Sequence, residues 1–422
     1  MLLLNNTIQS YAWGSRSALA ELQGRPPTER PEAELWIGAH PQAPSRSSDG
    51  RSLLELIRSD SRGMLGEAAG HRFGPHLPFL LKVLAVDTPL SLQAHPNLEQ
   101  ARVGFAREQA AGIPLDARER TYKDDNHKPE LLCALTRFEA LSGFREPLQS
   151  AALFEQLGVE QSPLAAPLVT RLVTQLVTQL RAGEPEPLRA AFSGLMTLPA
   201  RERTDLAALV CERAERAAAE PGPFQGSLRW AARLGRAYPG DIGAVASLLL
   251  QHLVLEPLQA VYLEAGRLHA YLCGTGVEIM ASSDNVLRGG LTPKHIDVPE
   301  LLRVLRFDAP RLQAASTRQL SPQELAYDTP AEEFALSRID LDGQQTLTVQ
   351  LAGPELWLCV EGQAGLQLTG GARGGAEARV RQLRRGQACF LPASLGGVRT
   401  SGAARLFRAA VGSAAVVPRG TT

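Results

Sequence analysis

The 422-residue sequence predicts a mainly β protein with an α-helical segment inserted into its first β unit. Short apolar runs are separated by many of the 38 Gly and 29 Pro, and apolar and polar residues alternate from about residue 334 onward. Between about residues 146 and 251 the period changes, and apolar residues recur at helical spacing. Because β character returns near residue 254, we expect the helical segment to be an insertion rather than a terminal domain.

Composition and charge exclude several classes of protein. Lys plus Arg number 44 and Asp plus Glu also number 44, so no net charge draws the chain to nucleic acid or anionic lipid. The five cysteines form no CxxC pair, which argues against a disulfide framework or a cysteine zinc knuckle. The N-terminus lacks the pattern of a signal peptide, and no apolar stretch is long enough for a membrane helix. We expect a cytoplasmic monomer without nucleic-acid or membrane partners.

The elements follow in order along the chain. Strands and loops are expected up to about residue 143, as in the apolar run 77–86 before a polar turn. In the helical segment, an apolar stripe of leucines every four residues, with valines beside them, predicts a helix that ends near residue 183. The stripe consists of Leu168, Leu172, Leu176 and Leu180. Further helices are expected over 201–219 and from Asp241 to about residue 253, followed by strands near 255–263 and 276–280.

The C-terminal unit is predicted to be a small antiparallel sandwich or barrel. Its strands are expected over 336–341, 346–351, 356–360, 366–368 and 389–391. Gly clusters separate them, including the low-complexity loop 370–377. The last histidine of the chain is His295, so this unit offers no imidazole to a metal ion.

Two short motifs of the first unit carry residues suited to one ion. In QAHP, Gln93 and His95 point to the same face of a strand because side chains alternate along it. In HKPE, the proline favours extended backbone before it, so Lys128 and Glu130 could face one pocket. Taken alone, QAHP is more typical of a hydrogen-bonded core histidine, and HKPE is more typical of a solvated charged turn.

A third motif, GRLHAY, sets His269 on an apolar strand after a turn that contains glycine. Together with Gln93, His95 and Glu130 it would offer a divalent ion two nitrogen and two oxygen ligands, with a net charge of about +1. The spacing of the motifs permits this grouping and does not prove it.

The segment 276–295 leads from a strand into a polar turn. The turn presents Asp284, Asn285, Arg288 and Lys294, and two adjacent glycines let its backbone approach a ligand. Basic side chains near a metal ion suit an anionic, phosphorylated substrate. A polar surface turn with an incidental basic pair is the alternative.

In their order, QAHP, HKPE, HAY and SSDNVLRGGLTPKH resemble the type I mannose-6-phosphate isomerases (phosphomannose isomerases) of the cupin superfamily, and YAWG and ELWIGAHP near the N-terminus extend the match. The resemblance implies two jelly-roll (cupin) β-barrels plus a helical domain. It divides the chain into a catalytic cupin domain (1–145 and 254–320), an inserted helical domain (146–253) and a C-terminal cupin-like domain without metal ligands (321–422). It also implies zinc-dependent interconversion of mannose 6-phosphate and fructose 6-phosphate, with a small sugar phosphate as the partner.

The resemblance also implies roles for individual residues. One Zn²⁺ per chain would be bound by Gln93, His95, Glu130 and His269. The catalytic residues would be Arg288, with Lys128 and Asp284 handling protons. The substrate pocket would contain Lys294, Trp13, Glu278, Lys82 and Ser91. The chain departs from the family before the HAY motif, where it has Leu258 in a turn that usually reads Pro-Gly-Glu-Ala.

An aldose–ketose isomerase moves a proton between C1 and C2 of an open-chain sugar through an enediol. A metal ion that polarises the substrate oxygens, a residue that shuttles the proton and a fixed positive charge such as Arg288 would lower that barrier. Two alternatives are a cupin isomerase of unphosphorylated sugars, against which Arg288 and Lys294 argue, and a sensor that binds a sugar phosphate without chemistry.

Overall fold

The structure is a computed structural model that describes residues 1–158, 167–182, 186–310, 312–369 and 380–412, with the backbone alone for residues 167 and 168. The predicted helix end near residue 183 and the loop 370–377 lie outside this part of the chain. The strands are β1 (Leu2–Asn5), β2 (Thr7–Gln9), β3 (Glu34–Ile37), β4 (Arg46–Ser47), β5 (Phe79–Val86), β6 (Leu92–Ala94), β7 (Glu130–Ala134), β8 (Phe138–Phe144), β9 (Leu250–Leu255), β10 (Ala260–Leu263), β11 (His269–Ala281), β12 (Leu287–Gly290), β13 (Thr317–Ser321), β14 (Glu324–Tyr327), β15 (Ala335–Gln350), β16 (Glu355–Leu368), β17 (Arg381–Arg384), β18 (Ala388–Leu391) and β19 (Gly397–Ala410).

Helices occur mainly between β8 and β9. The helices are α1 (Ala18–Leu22), α2 (Leu53–Ser59), α3 (Ser61–Leu65), α4 (Glu67–Phe73), α5 (Leu98–Ala110), α6 (Pro147–Gln156), α7 (Pro167–Arg181), α8 (Pro187–Thr197), α9 (Ala200–Ala217), α10 (Gln225–Ala237), α11 (Gly243–Ala246) and α12 (Val298–Val304). The prediction of a mainly β protein that also contains helices is confirmed.

The strands form two antiparallel sheets. In the first, the order is β10-β7-β11-β5-β3-β2, and β6, β8, β9 and β12 join it through the beginning of β11. In the second, the order is β13-β14-β15-β19-β16-β18-β1-β4, and β17 pairs with β16. The second sheet thus combines the C-terminal strands with two strands from the N-terminal part of the chain.

A shared apolar core joins the two sheets. One cluster of buried side chains includes Leu81, Leu131 and Ile279 of the first sheet together with Leu358 and Phe407 of the second. Removing this apolar surface from water is the main favourable contribution to the packing of the sheets. The second sheet therefore forms a wall behind β5, β7 and β11.

The stripe predicted for α7 is real but shifted. The buried residues are Val169, Val173, Leu176 and Leu180, whereas Leu172 is only partly buried. At about 3.6 residues per turn, a strict four-residue repeat rotates by about 40° at each step and cannot stay on one face. The side chains that α7 buries in the core of the helical segment are therefore valines in its first repeats and leucines in its last repeats.

Several predicted boundaries were wrong. The helix expected from Asp241 to residue 253 stops at α11 and a short 3₁₀ turn (Ser247–Leu249), because β9 pairs with β8 from residue 250 onward. The first unit, predicted as strands and loops, contains α1 to α5. Of these, α5 begins with a capping box between Asn97 and Gln100, but its few apolar residues show no clear period. In the C-terminal unit, β15 and β16 each merge two predicted strands.

Leu258 occupies the turn where the chain departs from the family pattern. Its φ is +71°, in the left-handed region that favours glycine. The turn is held by hydrogen bonds from the Leu258 N–H to the carbonyl of Ala134 (2.7 Å) and from the Tyr327 hydroxyl to the Leu258 carbonyl (3.0 Å). The backbone turn is therefore kept although the glycine is absent.

Candidate metal centre

His95, Glu130 and His269 meet between two groups of strands. His95 follows β6, Glu130 begins β7 and His269 begins β11. The first part of β11 pairs with β6 and β8, and its second part pairs with β5 and β7. Because Glu130 belongs to the second group and both histidines lie at the first, the long strand β11 brings the three side chains together.

The three side chains form a buried set of ligand atoms. His95 Nε2 lies 3.5 Å from Glu130 Oε1, and His269 Nε2 lies 3.6 Å from Glu130 Oε2. Their possible ligand atoms all lie within 4.8 Å of one another. Both Nε2 atoms and Glu130 Oε2 are buried without a hydrogen-bond partner. Since an unpaired buried polar atom costs about 1–3 kcal/mol, this arrangement fits a bound cation, and two imidazoles with a carboxylate suit zinc.

Backbone carbonyls orient both imidazoles. His95 Nδ1 lies 2.7 Å from the Asn285 carbonyl, and His269 Nδ1 lies 3.0 Å from the Arg267 carbonyl. A carbonyl only accepts, so each Nδ1 carries the proton and each Nε2 keeps a lone pair. Both lone pairs are therefore available to a metal ion.

Gln93 is placed beside this group by strand register. It lies opposite His269 on β11 and opposite Arg288 on β12. Its amide makes no hydrogen bond with another of the described residues. Both observations are consistent with a fourth ligand at this position.

The local charges favour the metal-binding protonation states. Burial raises the pKa of Glu130, but the Lys128 ammonium, whose Nζ is 3.2 Å from Oε1, and the imidazoles hold it well below its usual value. Burial and the neighbouring His95 lower the pKa of His269 to about 4. At neutral pH, Glu130 is therefore a carboxylate and His269 a neutral imidazole.

A second buried charged group lies alongside. Lys82 Nζ is 3.2 Å from Glu34 Oε2 and 3.7 Å from Glu278 Oε2, and it lies over the Trp36 ring. Burial lowers the pKa of Lys82, yet the two carboxylates raise it above its usual value. Burial and Glu130 raise the pKa of Glu278 to about 7, and the Tyr271 hydroxyl donates to Glu278 at 2.9 Å.

Asp284 lies at the rim of the site, where two residues after β3 hold both of its oxygens. His40 Nε2 is 3.3 Å from Oδ1, and Gln42 Nε2 donates to Oδ2 at 3.1 Å. Burial raises the pKa of Asp284, but His40 and then Lys128 lower it below its usual value. The carboxylate is therefore ionised and held in one orientation.

Arg288 and Lys294 form a pair of neighbouring cations, which we call the basic side. Burial lowers the pKa of Arg288, and burial together with Arg288 lowers that of Lys294, whose side chain is largely exposed. No carboxylate of the described residues lies within 4.0 Å of either cation. These two charges are therefore available to an anion.

Trp13 and Ser91 are the least connected of the predicted pocket residues. Trp13 is half-buried and packs against the apolar cluster that contains Tyr271. Ser91 is half-buried directly before β6, and its hydroxyl makes no hydrogen bond with the described residues. Neither side chain has a polar contact to the other predicted residues.

Sequence reasoning missed Glu34, His40 and Tyr271 as site residues. Both Glu34 and His40 belong to ELWIGAHP. Glu34 shares a face of β3 with Trp36, so the alternation along that strand was an available signal for Glu34, whereas His40 lies beyond the strand. Tyr271 reaches Glu278 only because β11 is bulged between Tyr271 and Cys273. Sequence patterning does not reveal that bulge.

The chain is similar in sequence to known mannose-6-phosphate isomerases over most of its length. The family model "Phosphomannose isomerase type I, catalytic domain" matches residues 1–147. The mannose-6-phosphate isomerase of Escherichia coli K12 is 39% identical over 414 residues, 97% of this chain and 99% of that protein. The human mannose-6-phosphate isomerase is 34% identical over 362 residues, 81% of this chain and 82% of that protein.

Solved structures give the same result. A crystal structure of a mannose 6-phosphate isomerase bound with zinc and yttrium has a TM-score of 0.86 and 36% identity, covering 98% of this chain and 100% of that chain. A mutant phosphomannose isomerase from Salmonella typhimurium also has a TM-score of 0.86 and 36% identity, over 97% of this chain and 99% of that chain. In the part of this chain that the structure describes, no helix is long and apolar enough to span a membrane.

Proposed function

The chain belongs to the type I phosphomannose isomerase family, and we propose that it interconverts D-mannose 6-phosphate and D-fructose 6-phosphate with one zinc ion per chain. The observation that carries this proposal is the buried group of His95, Glu130 and His269, whose ligand atoms lack hydrogen-bond partners. Gln93 completes the set as the fourth ligand. A zinc ion bound there supplies a Lewis acid for the substrate oxygens.

Proton transfer between C1 and C2 is assigned to residues beside this group. Lys128 is buried with its amine 3.2 Å from Glu130 Oε1, so it is placed to exchange a proton with a sugar carbon held at the site. Asp284 lies on the rim, where His40 and Gln42 hold its carboxylate for a second proton. The enediol thus forms between two groups that can exchange protons.

The basic side binds charge on the substrate. Lys82 and Lys128 each lie 3.2 Å from a carboxylate, whereas Arg288 and Lys294 have no such partner among the described residues. Arg288, opposite Gln93 in the strand register, supplies positive charge where negative charge develops on oxygen. The more exposed Lys294 binds the phosphate.

Lys82, Glu278, Trp13 and Ser91 form the remaining walls of the substrate pocket. Lys82 and Glu278 are directly opposite each other on β5 and β11. Their ion pair keeps a polar surface for sugar hydroxyls, while Trp13 offers an aromatic face next to the Tyr271 cluster.

The finer architecture is part of the same proposal. Residues 1–145 with 254–320 form a catalytic jelly-roll domain, 146–253 an inserted helical domain and 321–422 a C-terminal jelly-roll domain without metal ligands. Its support is the helical content between β8 and β9 and the two antiparallel sheets. We also propose that the protein is a monomer. We propose a cytoplasmic location because all five cysteines are free thiols, as is usual in reducing compartments.

The test is to measure metal content and isomerisation of mannose 6-phosphate on one preparation, before chelation, after chelation and after zinc is restored. We expect about one zinc per chain, with activity lost and regained. Unphosphorylated mannose is the matched substrate: equal turnover of both sugars contradicts the role of Arg288 and Lys294. Bound zinc with ligand-induced stabilisation and no product would favour the sensor, and activity that survives complete metal removal refutes the metal mechanism.

A further inference from the structure

Two chain segments meet beside the metal centre and are joined by polar contacts. One precedes the HKPE motif and includes Asp124, and the other is the SSDN turn, with Asn285 fully buried. The Asn285 amide oxygen accepts from the Lys123 N–H at 2.7 Å. Its amide nitrogen donates to the carbonyls of Asp124 and Asn126, both at 2.8 Å. Asn285 therefore binds the first segment through both ends of its side chain.

The Asp124 carboxylate accepts four hydrogen bonds from the same two segments. Oδ1 accepts from Ser283 Oγ at 2.8 Å, from the Asn126 N–H at 3.0 Å and from the Asn285 amide at 3.1 Å, and Oδ2 accepts from the Asp284 N–H at 2.7 Å. No cation of the described residues lies within 4.0 Å of this carboxylate. Its charge is therefore balanced by hydrogen-bond donors alone, all from these two segments.

This network ends on two groups of the site. The Asn285 carbonyl accepts from His95 Nδ1, which sets the tautomer and direction of that imidazole. Asp124 also accepts a hydrogen bond from the backbone N–H of Asp284, the residue whose carboxylate lies at the rim of the site. Movement of Asp124 would therefore displace a metal ligand and a proton-transfer group together.

We infer that Asp124 is a positioning residue, which holds the SSDN turn so that the Asn285 carbonyl directs His95 at the metal ion and Asp284 faces the substrate. The inference rests on the metal site of the proposed function. Asp124 touches neither metal nor substrate, and its effect passes through Asn285 and Asp284.

The test compares Asp124→Asn with Asp125→Asn. Both remove one negative charge, but Asp125 is exposed and makes no hydrogen bond or ion pair with the described residues. In Asp124→Asn, an amide NH₂ group replaces one carboxylate oxygen. This group donates hydrogen bonds, so it faces another donor and the hydrogen bond at that position is lost. Zinc affinity is measured by competition with a chromophoric chelator on the full chain, and kcat and KM are measured at saturating zinc.

We expect Asp124→Asn to weaken zinc binding about 10- to 100-fold, the range typical of groups that orient metal ligands. At saturating zinc, kcat should fall while KM changes less, and Asp125→Asn should match the wild-type protein in every measurement. Ser283→Ala, which removes one of the four hydrogen bonds, should show a smaller loss in the same direction. It provides the test if Asp124→Asn does not fold.

A purely structural role predicts a lower melting temperature of the metal-free protein with unchanged zinc affinity and kcat, and that result overturns the inference. Equal zinc affinity in the Asp124 and Asp125 variants overturns it as well. Because the zinc measurement needs no substrate, failure of the proposed reaction is recognised separately: the wild-type protein would then bind zinc without forming fructose 6-phosphate.

Discussion

Replacement of Lys128 by methionine tests the proposed proton transfer most directly. Lys128 is 9% exposed, and methionine keeps much of the apolar stem while removing the amine. A positioned acid–base group contributes about 10²- to 10⁴-fold, so kcat should fall by that factor, or about 3–5 kcal/mol in the activation barrier.

The same substitution should leave zinc binding intact or stronger. The Lys128 ammonium lies 3.2 Å from a carboxylate oxygen proposed as a metal ligand, so it repels a second cation there. Two unit charges about 4 Å apart repel by roughly 4 kcal/mol at an effective dielectric constant of 20. Removing one of them relieves repulsion. If turnover instead fell because the metal ion was lost, the zinc affinity of Lys128→Met would be lower than that of the wild-type protein.

The assay couples fructose 6-phosphate formation to a chromogenic reaction at saturating substrate, with zinc affinity measured on the same preparations. Lys294→Met is the matched control, because it removes the same functional group from an exposed position of the basic side. Near wild-type turnover in Lys128→Met with normal zinc content would refute the assignment of Lys128. Weakened zinc binding would refute the electrostatic reasoning.

Three other results are expected. Lys294→Met should raise KM for mannose 6-phosphate about tenfold, the loss of one charge-assisted contact, with little change in kcat; an unchanged KM would place the phosphate elsewhere. Leu258→Gly should be more stable than Leu258→Ala by about 0.5–1 kcal/mol in urea denaturation, because a left-handed φ costs about 1–2 kcal/mol with a Cβ and glycine loses about 0.5–1 kcal/mol in chain entropy. As the control, Gln259→Ala should be more stable than Gln259→Gly. If Leu258→Ala were likewise more stable than Leu258→Gly, the positive φ of Leu258 would be contradicted. In the metal-free protein, the pKa of His269 is about 4 in the folded state and about 6.5 in the unfolded state. Between pH 6.5 and pH 4, the unfolded state therefore binds a proton at His269 that the folded state does not. The free energy of unfolding should therefore fall by about 3 kcal/mol from pH 7 to pH 4 through this residue, and a slope unchanged in His269→Gln would refute that origin.

Local chemistry made much of the site predictable. His95, Glu130 and His269 each stand in a short motif whose residues favour extended backbone, and the structure brings all three together. The roles of Gln93, Arg288 and the pocket residues remain predictions, supported by strand register and by charges without partners. Helix α5 was missed because its start is marked by a capping box while its apolar period is weak.

The sequence by itself determined the mainly β character, the helical segment and the residue types of the metal group, because these depend on period, composition and short motifs. Tertiary structure decided which residues meet. Its determinants are the pairing of β11 with two groups of strands, the network of Asp124 and Asn285 behind His95, and the buried side of α7. These features depend on contacts between residues more than 100 positions apart, or on which face packs against a neighbour, and local preferences of the chain do not by themselves determine either.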